Sequence, residues 1–125
     1  IQGEAVYDDE MPIISSIYHN RLDQDMMLQA DPTIQYIIPG RSRRLYNKDL
    51  EVDSPYNTYR HKGLPPGPIN NPGLKALEAA IRPAETDYLY FVSNGEGRHI
   101  FTRNNEEHNK AKLKLKRKRR LKRKM

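Results

Sequence analysis

The sequence predicts a small α+β domain, on three observations. Apolar residues recur at helical spacing over 11–22 and again over 73–81. Two strand-like runs, Tyr88 to Ser93 and Arg98 to Arg103, flank Asn94-Gly95-Glu96-Gly97, which is a hairpin signal. The chain has 125 residues and no internal repeat, so it holds one small domain at most. Helices beside a local hairpin give α+β rather than a wound parallel sheet.

Taken in order, residues 1–7 read as the end of a helix, and the chain starts with Ile1 inside it, as a fragment would. Asp8 or Asp9 can cap a second helix, with Pro12 tolerated in its first turn. Met11, Ile14, Ile17, Tyr18 and Leu22 share one face of that helix and are expected in the core. Asp31-Pro32 opens a short helix at 32–37, which Pro39-Gly40 breaks. Residues 40–53 read as an exposed excursion, with Arg41, Arg43 and Arg44 clustered ahead of Asp49, Glu51 and Asp53. A short amphipathic helix follows at Gly73 to Ile81, with Leu74, Leu77 and Ile81 spaced for burial. After the hairpin, Asn104 can cap a last helix, with Glu106 and Glu107 favourable in its first turn.

Charge is divided along the chain. Residues 1–109 hold all sixteen acidic residues and eleven basic ones, a balance of −5; residues 110–125 hold the other eleven basic residues and no acid, +11. The reading is a mildly acidic domain, 1–109, with a polybasic tail, 110–125. That tail reads as a solvated, largely disordered segment, or as a contact for anionic lipid or wall polymer. Nucleic acid ranks last, because the remainder of the chain is acidic and carries no nucleic-acid motif. Cysteine is absent, which excludes thiol chemistry and disulfides. The four histidines lack metal-ligand spacing, so no metal and no cofactor is expected. Ser15 and Ser16 lack the flanking glycines of a nucleophile elbow. No apolar run is long enough to span a bilayer.

The segment Ser54 to Ile69 is the most distinctive. Four prolines, two glycines, Tyr56, Tyr59 and Asn57 lie within sixteen residues. Proline fixes φ and glycine permits positive φ, so this is a shaped loop of the kind that lines a site.

That loop, SPYNTYRHKGLPPGPI followed by Asn71-Pro72-Gly73, resembles the signature of the YceG-like endolytic murein transglycosylases. Further segments agree in order. Ile1-Gln2-Gly3-Glu4-Ala5 resembles the end of the family's catalytic helix. Ser16 to Leu22 and Met27 to Thr33 resemble its NRL and LQxDPT run. Asp87 to Val92, His99-Ile100-Phe101 and His108-Asn109 resemble its hairpin region. The resemblance covers about residues 1–109 and implies an α+β catalytic domain with a lysozyme-like cleft. It implies an enzyme that cuts the β-1,4 bond between N-acetylmuramic acid and N-acetylglucosamine in nascent glycan strands, leaving 1,6-anhydromuramoyl ends. It also implies an N-terminal membrane anchor, a catalytic domain on the extracytoplasmic side, and cell-wall synthases as partners.

On this resemblance Glu4 falls on the second acidic position of the family's ExE motif and is the catalytic candidate; Gln2 occupies the first. A carboxylic acid can protonate a departing sugar oxygen if burial lifts its pKa toward neutrality. Read without the resemblance, Glu4 is an ordinary solvated helix residue. Asp8, Asp9 and Glu10 are placed for a second carboxylate, but capping explains them better. Tyr56, Asn57 and Tyr59 are candidates for sugar stacking and amide hydrogen bonds, or else pack the loop. Gln29, Asp31 and Thr33 either line the cleft or fix a turn, and Asp31 can equally be a helix cap. The alternative to an enzyme is a non-catalytic glycan-binding module.

Overall fold

The computed structural model describes residues 1–40 and 44–124. Arg41 and Arg43 of the predicted basic cluster, and Met125, lie outside the described residues. The described chain forms α1 (Met11–Asp23), α2 (Asp31–Ile37), α3 (Leu74–Ile81), a hairpin of β1 (Tyr90–Ser93) and β2 (His99–Thr102), and α4 (Asn105–Lys124). The predicted α+β class holds.

Helix α1 is the core. Ile14 and Ile17 are fully buried, as is Ile34 of α2, and Met11 is nearly so. Each such side chain contributes about 1.5–3 kcal/mol. Two polar residues on α1 secure the chain that leads into β1. Asn20 donates through Nδ2 to the carbonyls of Thr86 and Tyr88, both at 2.9 Å. Arg21 donates through Nε to Leu89 O at 2.7 Å and through Nη1 to Met27 O at 2.8 Å. A side chain buried this far is tolerated because carbonyls satisfy it.

The hairpin pairs Phe91 with Phe101 and Ser93 with His99 in antiparallel register. Its turn uses Gly95 and Gly97 at φ 84° and 88°, where other residues are strained. Asn94 Oδ1 accepts from the backbone N–H groups of Glu96 and Arg98.

Four expectations change. Residues 1–7 do not form the end of a helix: Glu4 N and Ala5 N both donate to Ile1 O at 3.1 Å, a single turn, and Tyr7 is extended before a 3-10 turn at Asp8–Glu10. One isolated turn has no neighbour to propagate into. Asp8 and Asp9 do not cap: no side-chain cap bond is made, and Asp9 instead meets Arg98 at 3.0 Å. Helix α3 faces the other way, with Leu74, Leu77 and Ile81 at 69%, 48% and 79% exposure while Ala76 and Ala79 are buried with Met11. Small residues let α3 lie close on α1, and the larger apolar face turns outward. Finally, residues 110–124 are helical, not disordered. Glu107 N donates to Asn104 Oδ1 at 2.8 Å, so the predicted cap starts α4, which then runs unbroken to Lys124 and buries Leu115 against the hairpin side of the domain.

The excursion at 44–53 is not slack. It contains a 3-10 turn at Asn47–Glu51, and Tyr46 N donates to the buried Asp49 carboxylate at 2.8 Å.

Candidate active site

One cleft of about 520 Å³ runs between the N-terminal turn, the segment before α2, the central loop, the hairpin and α4. Glu4 is part of its lining. The turn carrying Glu4 is pressed onto α2 at Gly3, where an added Cβ would meet Pro32 atoms at 2.9 Å. Gln2 ties the same turn to α3, its Oε1 accepting from Gly73 N at 2.8 Å. The residue at the first acidic position of the motif is therefore a tether here.

Burial and the nearby Asp31 carboxylate raise the Glu4 carboxyl to about 7, partly opposed by His99. At neutral pH a large fraction of Glu4 therefore holds its proton, as a general acid must. Tyr18, on α1, is buried beside the same carboxylates and its phenol is raised well above the ordinary tyrosine range.

Asp31 and Gln29 line the cleft with Glu4. Asp31 starts α2 without capping it; its Oδ1 accepts from the Tyr59 hydroxyl at 2.5 Å. Burial first, then this bond to Asp31, raises the Tyr59 phenol, so Tyr59 remains a donor. Gln29 adopts φ 48°, and its N–H donates to Thr58 O at 3.2 Å. A left-handed non-glycine residue costs about 1–2 kcal/mol, and this one is at the cleft.

The other three candidates serve the scaffold. Thr33 is buried, donates to Ala30 O at 2.7 Å and meets Thr58 Oγ1 at 2.9 Å. Asn57 is fully buried. Its Nδ2 donates to Leu50 O at 3.0 Å and Val52 O at 2.7 Å, while Oδ1 accepts from Tyr59 N at 2.9 Å. Tyr56 packs on Tyr36, with centroids 5.1 Å apart, and is absent from the cleft lining. Of the predicted set, Glu4, Gln29, Asp31 and Tyr59 meet in one cleft, and Thr33, Asn57 and Tyr56 do not reach it.

Two groups at the cleft escaped sequence reasoning. His99 lines it and is held from behind by Glu10: ring Nδ1 and Oε1 are 2.9 Å apart, and His99 N donates to Oε2 at 3.1 Å. Both side chains are nearly buried. The second group is the face of α4 formed by Asn105, His108, Asn109, Lys112 and Arg119. His108 stacks on Tyr90 at 5.0 Å, and Arg21 lies over that same ring at 4.9 Å. Burial, with Lys112 and Arg21 nearby, lowers the His108 imidazole. The spacing i, i+3, i+4, i+7 of this face was a legible signal, obscured by a composition that reads as disorder. Among the described residues no group of three or more His, Asp or Glu could hold a metal ion.

The sequence profile of the YceG-like family matches residues 1–114. The chain is 48% identical over 114 residues to the endolytic murein transglycosylase of Bacillus subtilis (strain 168), covering 91% of this chain and 32% of that protein. It is 34% identical over 116 residues to the endolytic murein transglycosylase of Streptococcus pneumoniae serotype 2, covering 88% of this chain and 21% of that one. The chain thus spans about a third or less of these curated relatives. Its fold is similar to the crystal structure of the YceG-like protein lmo1499 from Listeria monocytogenes, with a TM-score of 0.81 at 48% identity, covering 87% of this chain and 35% of that one.

Proposed function

The chain belongs to the YceG-like family, and from that premise we propose that it carries the catalytic site of an endolytic murein transglycosylase. The observation that supports this most is Glu4: a carboxyl raised to about 7, in a cleft beside Asp31. The site residues are Glu4 as acid and base, with Gln29, Asp31 and Tyr59 positioning the glycan. Residues 1–109 form the catalytic portion.

In the proposed reaction Glu4 gives its proton to the glycosidic oxygen between N-acetylmuramic acid and N-acetylglucosamine as the C1–O4 bond breaks. The resulting carboxylate takes the proton of the muramoyl 6-hydroxyl as O6 bonds to C1. Glu4 ends protonated, the product carries a 1,6-anhydro ring, and no water enters. A two-carboxylate glycosidase needs a second group to act on water or on C1; an internal hydroxyl attack needs one acid that becomes a base. Asp31 suits a different role, since its charge raises Glu4. Such a site acts on the extracytoplasmic side, where it limits strand length beside the synthases. Among the described residues no helix is long and apolar enough to cross a membrane.

The test is mass spectrometry of uncrosslinked glycan strands incubated with a chain containing residues 1–125, beside its Glu4→Gln variant. Internal cuts ending in 1,6-anhydromuramic acid, lost in the variant, are expected. Reducing ends would mean hydrolysis. Binding without cleavage would make the chain a glycan-binding module.

A further inference from the structure

We propose that the α4 wall of this cleft recognises carboxylates on the peptide branches of the glycan strand, and that Lys112 and Arg119 hold them. The inference rests on the transglycosylase reading and adds the substrate class of the same site.

The polybasic segment is part of the cleft rather than an appendage. Along α4, Asn105, His108, Asn109, Lys112 and Arg119 recur at helical spacing and line the same cavity as Glu4. At 1.5 Å per residue, that face runs about 21 Å from residue 105 to residue 119. Leu115, between the two cations on the same side of the helix, is 8% exposed and fixes the rotation of this part of α4. Lys112 and Arg119 are therefore presented to the cleft by a packed helix.

Among the described residues neither cation has an acidic partner. The ion pairs of α4 among the described residues are Lys110 with Glu106 and Lys122 with Glu96; Lys112 and Arg119 form none. Nor do they tune the acid: the side chains that act electrostatically on Glu4 are Asp31 and His99. Two cations that face this cavity without an acidic partner among the described residues are suited to an anion brought in from outside. A guanidinium offers a carboxylate two parallel donors, and an ammonium offers a compact charge.

The sign of charge along the cleft narrows the ligand. The carboxyls of the lining, Glu4 and Asp31, sit on the N-terminal turn and α2, and the cations Lys112 and Arg119 on α4, while Arg21 in the same lining is engaged by carbonyls. A ligand that fits both has a neutral backbone at the acid and anionic groups at α4. A glycan strand whose peptide branches end in free carboxylates has that pattern. Nucleic acid places a phosphate at every residue, including beside Asp31. A lipid surface is flat and meets a convex helix face better than a concave one.

The experiment is binding, in a Glu4→Gln background so that strands stay whole. The probes are uncrosslinked murein strands with their peptides, and the same strands after their peptide carboxylates have been converted to amides. Lys112→Glu with Arg119→Glu should weaken binding of the carboxylate-bearing strands at least about tenfold and of the amidated strands less than about twofold. Lys114→Glu with Lys118→Glu, the same charge change on the opposite face of α4, should alter neither. Neutral replacements, Lys112→Gln with Arg119→Gln, should give the same preference with a smaller loss, and far-ultraviolet circular dichroism checks that the helix is retained. Equal losses for both probes, or for both faces of the helix, would overturn the proposal. So would loss of binding to phosphatidylglycerol vesicles with strand binding unchanged, which would assign the face to lipid. Failure of the chain with Glu4 intact to cut any strand would instead count against the transglycosylase reading, because the binding comparison does not depend on turnover.

Discussion

Glu10 grips His99 twice, through ring Nδ1 at 2.9 Å and through the backbone N–H at 3.1 Å. The pair joins the 3-10 turn before α1 to the start of β2, and it sets His99 against the cleft. Glu10→Ala removes both acceptors from a nearly buried site. Leaving such donors unpaired costs about 1–3 kcal/mol each. The expected result in chemical denaturation is a loss of about 2–4 kcal/mol, with Glu10→Gln losing less because it keeps one carbonyl oxygen. Equal, small losses for both variants would mean that solvent satisfies His99.

Two side chains near Glu4 act on its carboxyl in opposite directions. Asp31 raises the Glu4 carboxyl and His99 lowers it. If protonated Glu4 starts the reaction, activity falls as pH rises through about 7. Asp31→Asn should move that alkaline limb to lower pH, and His99→Phe should move it to higher pH. Profiles of kcat/KM against pH measure both. Movement in the same direction would show that the limb belongs to another group.

The same carboxyl affects stability. Its folded pKa, about 7, lies above its ordinary 4.5. Below the lower value both states hold the proton and nothing is lost. Between the two, the unfolded chain ionises while the folded site resists, so stability declines as pH rises and levels off above 7. Integrated over that interval the decline is about 3 kcal/mol. Glu4→Gln cannot ionise. It should match the parent near pH 4 and unfold at a higher temperature near pH 8, while losing activity. A variant less stable at both pH values would place Glu4 in a structural role.

Gln29 tests whether strain at the cleft serves function. Its φ of 48° suits glycine, and its backbone N–H stays bonded to Thr58 O. Gln29→Gly relieves the left-handed penalty but adds freedom to the unfolded chain, for a net gain of about 0.5–1 kcal/mol. The ratio kcat/KM should nonetheless drop through a raised KM, because the amide at the cleft is gone. Unchanged kinetics would leave the strain without a role.

How far the sequence was legible depends on range. The hairpin, with glycines at positive φ, and the Asn104 cap are local and follow from adjacent residues. The short helix at Asp31–Ile37 follows from Asp-Pro ahead of apolar residues. The face of α3 did not follow, since eight residues hold both an alanine face and a leucine face, and only the close approach to α1 decides which is buried. The Glu10–His99 pair spans 89 positions, and nothing near either residue announces it. Sequence placed seven candidates at the site, yet could not separate Tyr59, which reaches Asp31, from Asn57 two residues earlier, which points into the loop.

That difference supplies the last prediction. Asn57 never meets the cleft, but three hydrogen bonds make it the latch of the loop that delivers Tyr59: two donated to Leu50 O and Val52 O, and one accepted from Tyr59 N. Asn57→Ala strips partners from two carbonyls and one N–H in a fully buried pocket, and should cost about 2–4 kcal/mol. Asn57→Asp should be at least as damaging, because it turns an acceptor toward those two carbonyls and buries a charge with no cation. Tyr59→Phe removes only the bond to Asp31 on a partly buried side chain, and should cost about 1 kcal/mol while lowering turnover. Denaturation and kinetics on the three variants therefore separate the latch from the group it positions. A large stability loss in Tyr59→Phe with little in Asn57→Ala would reverse the two roles.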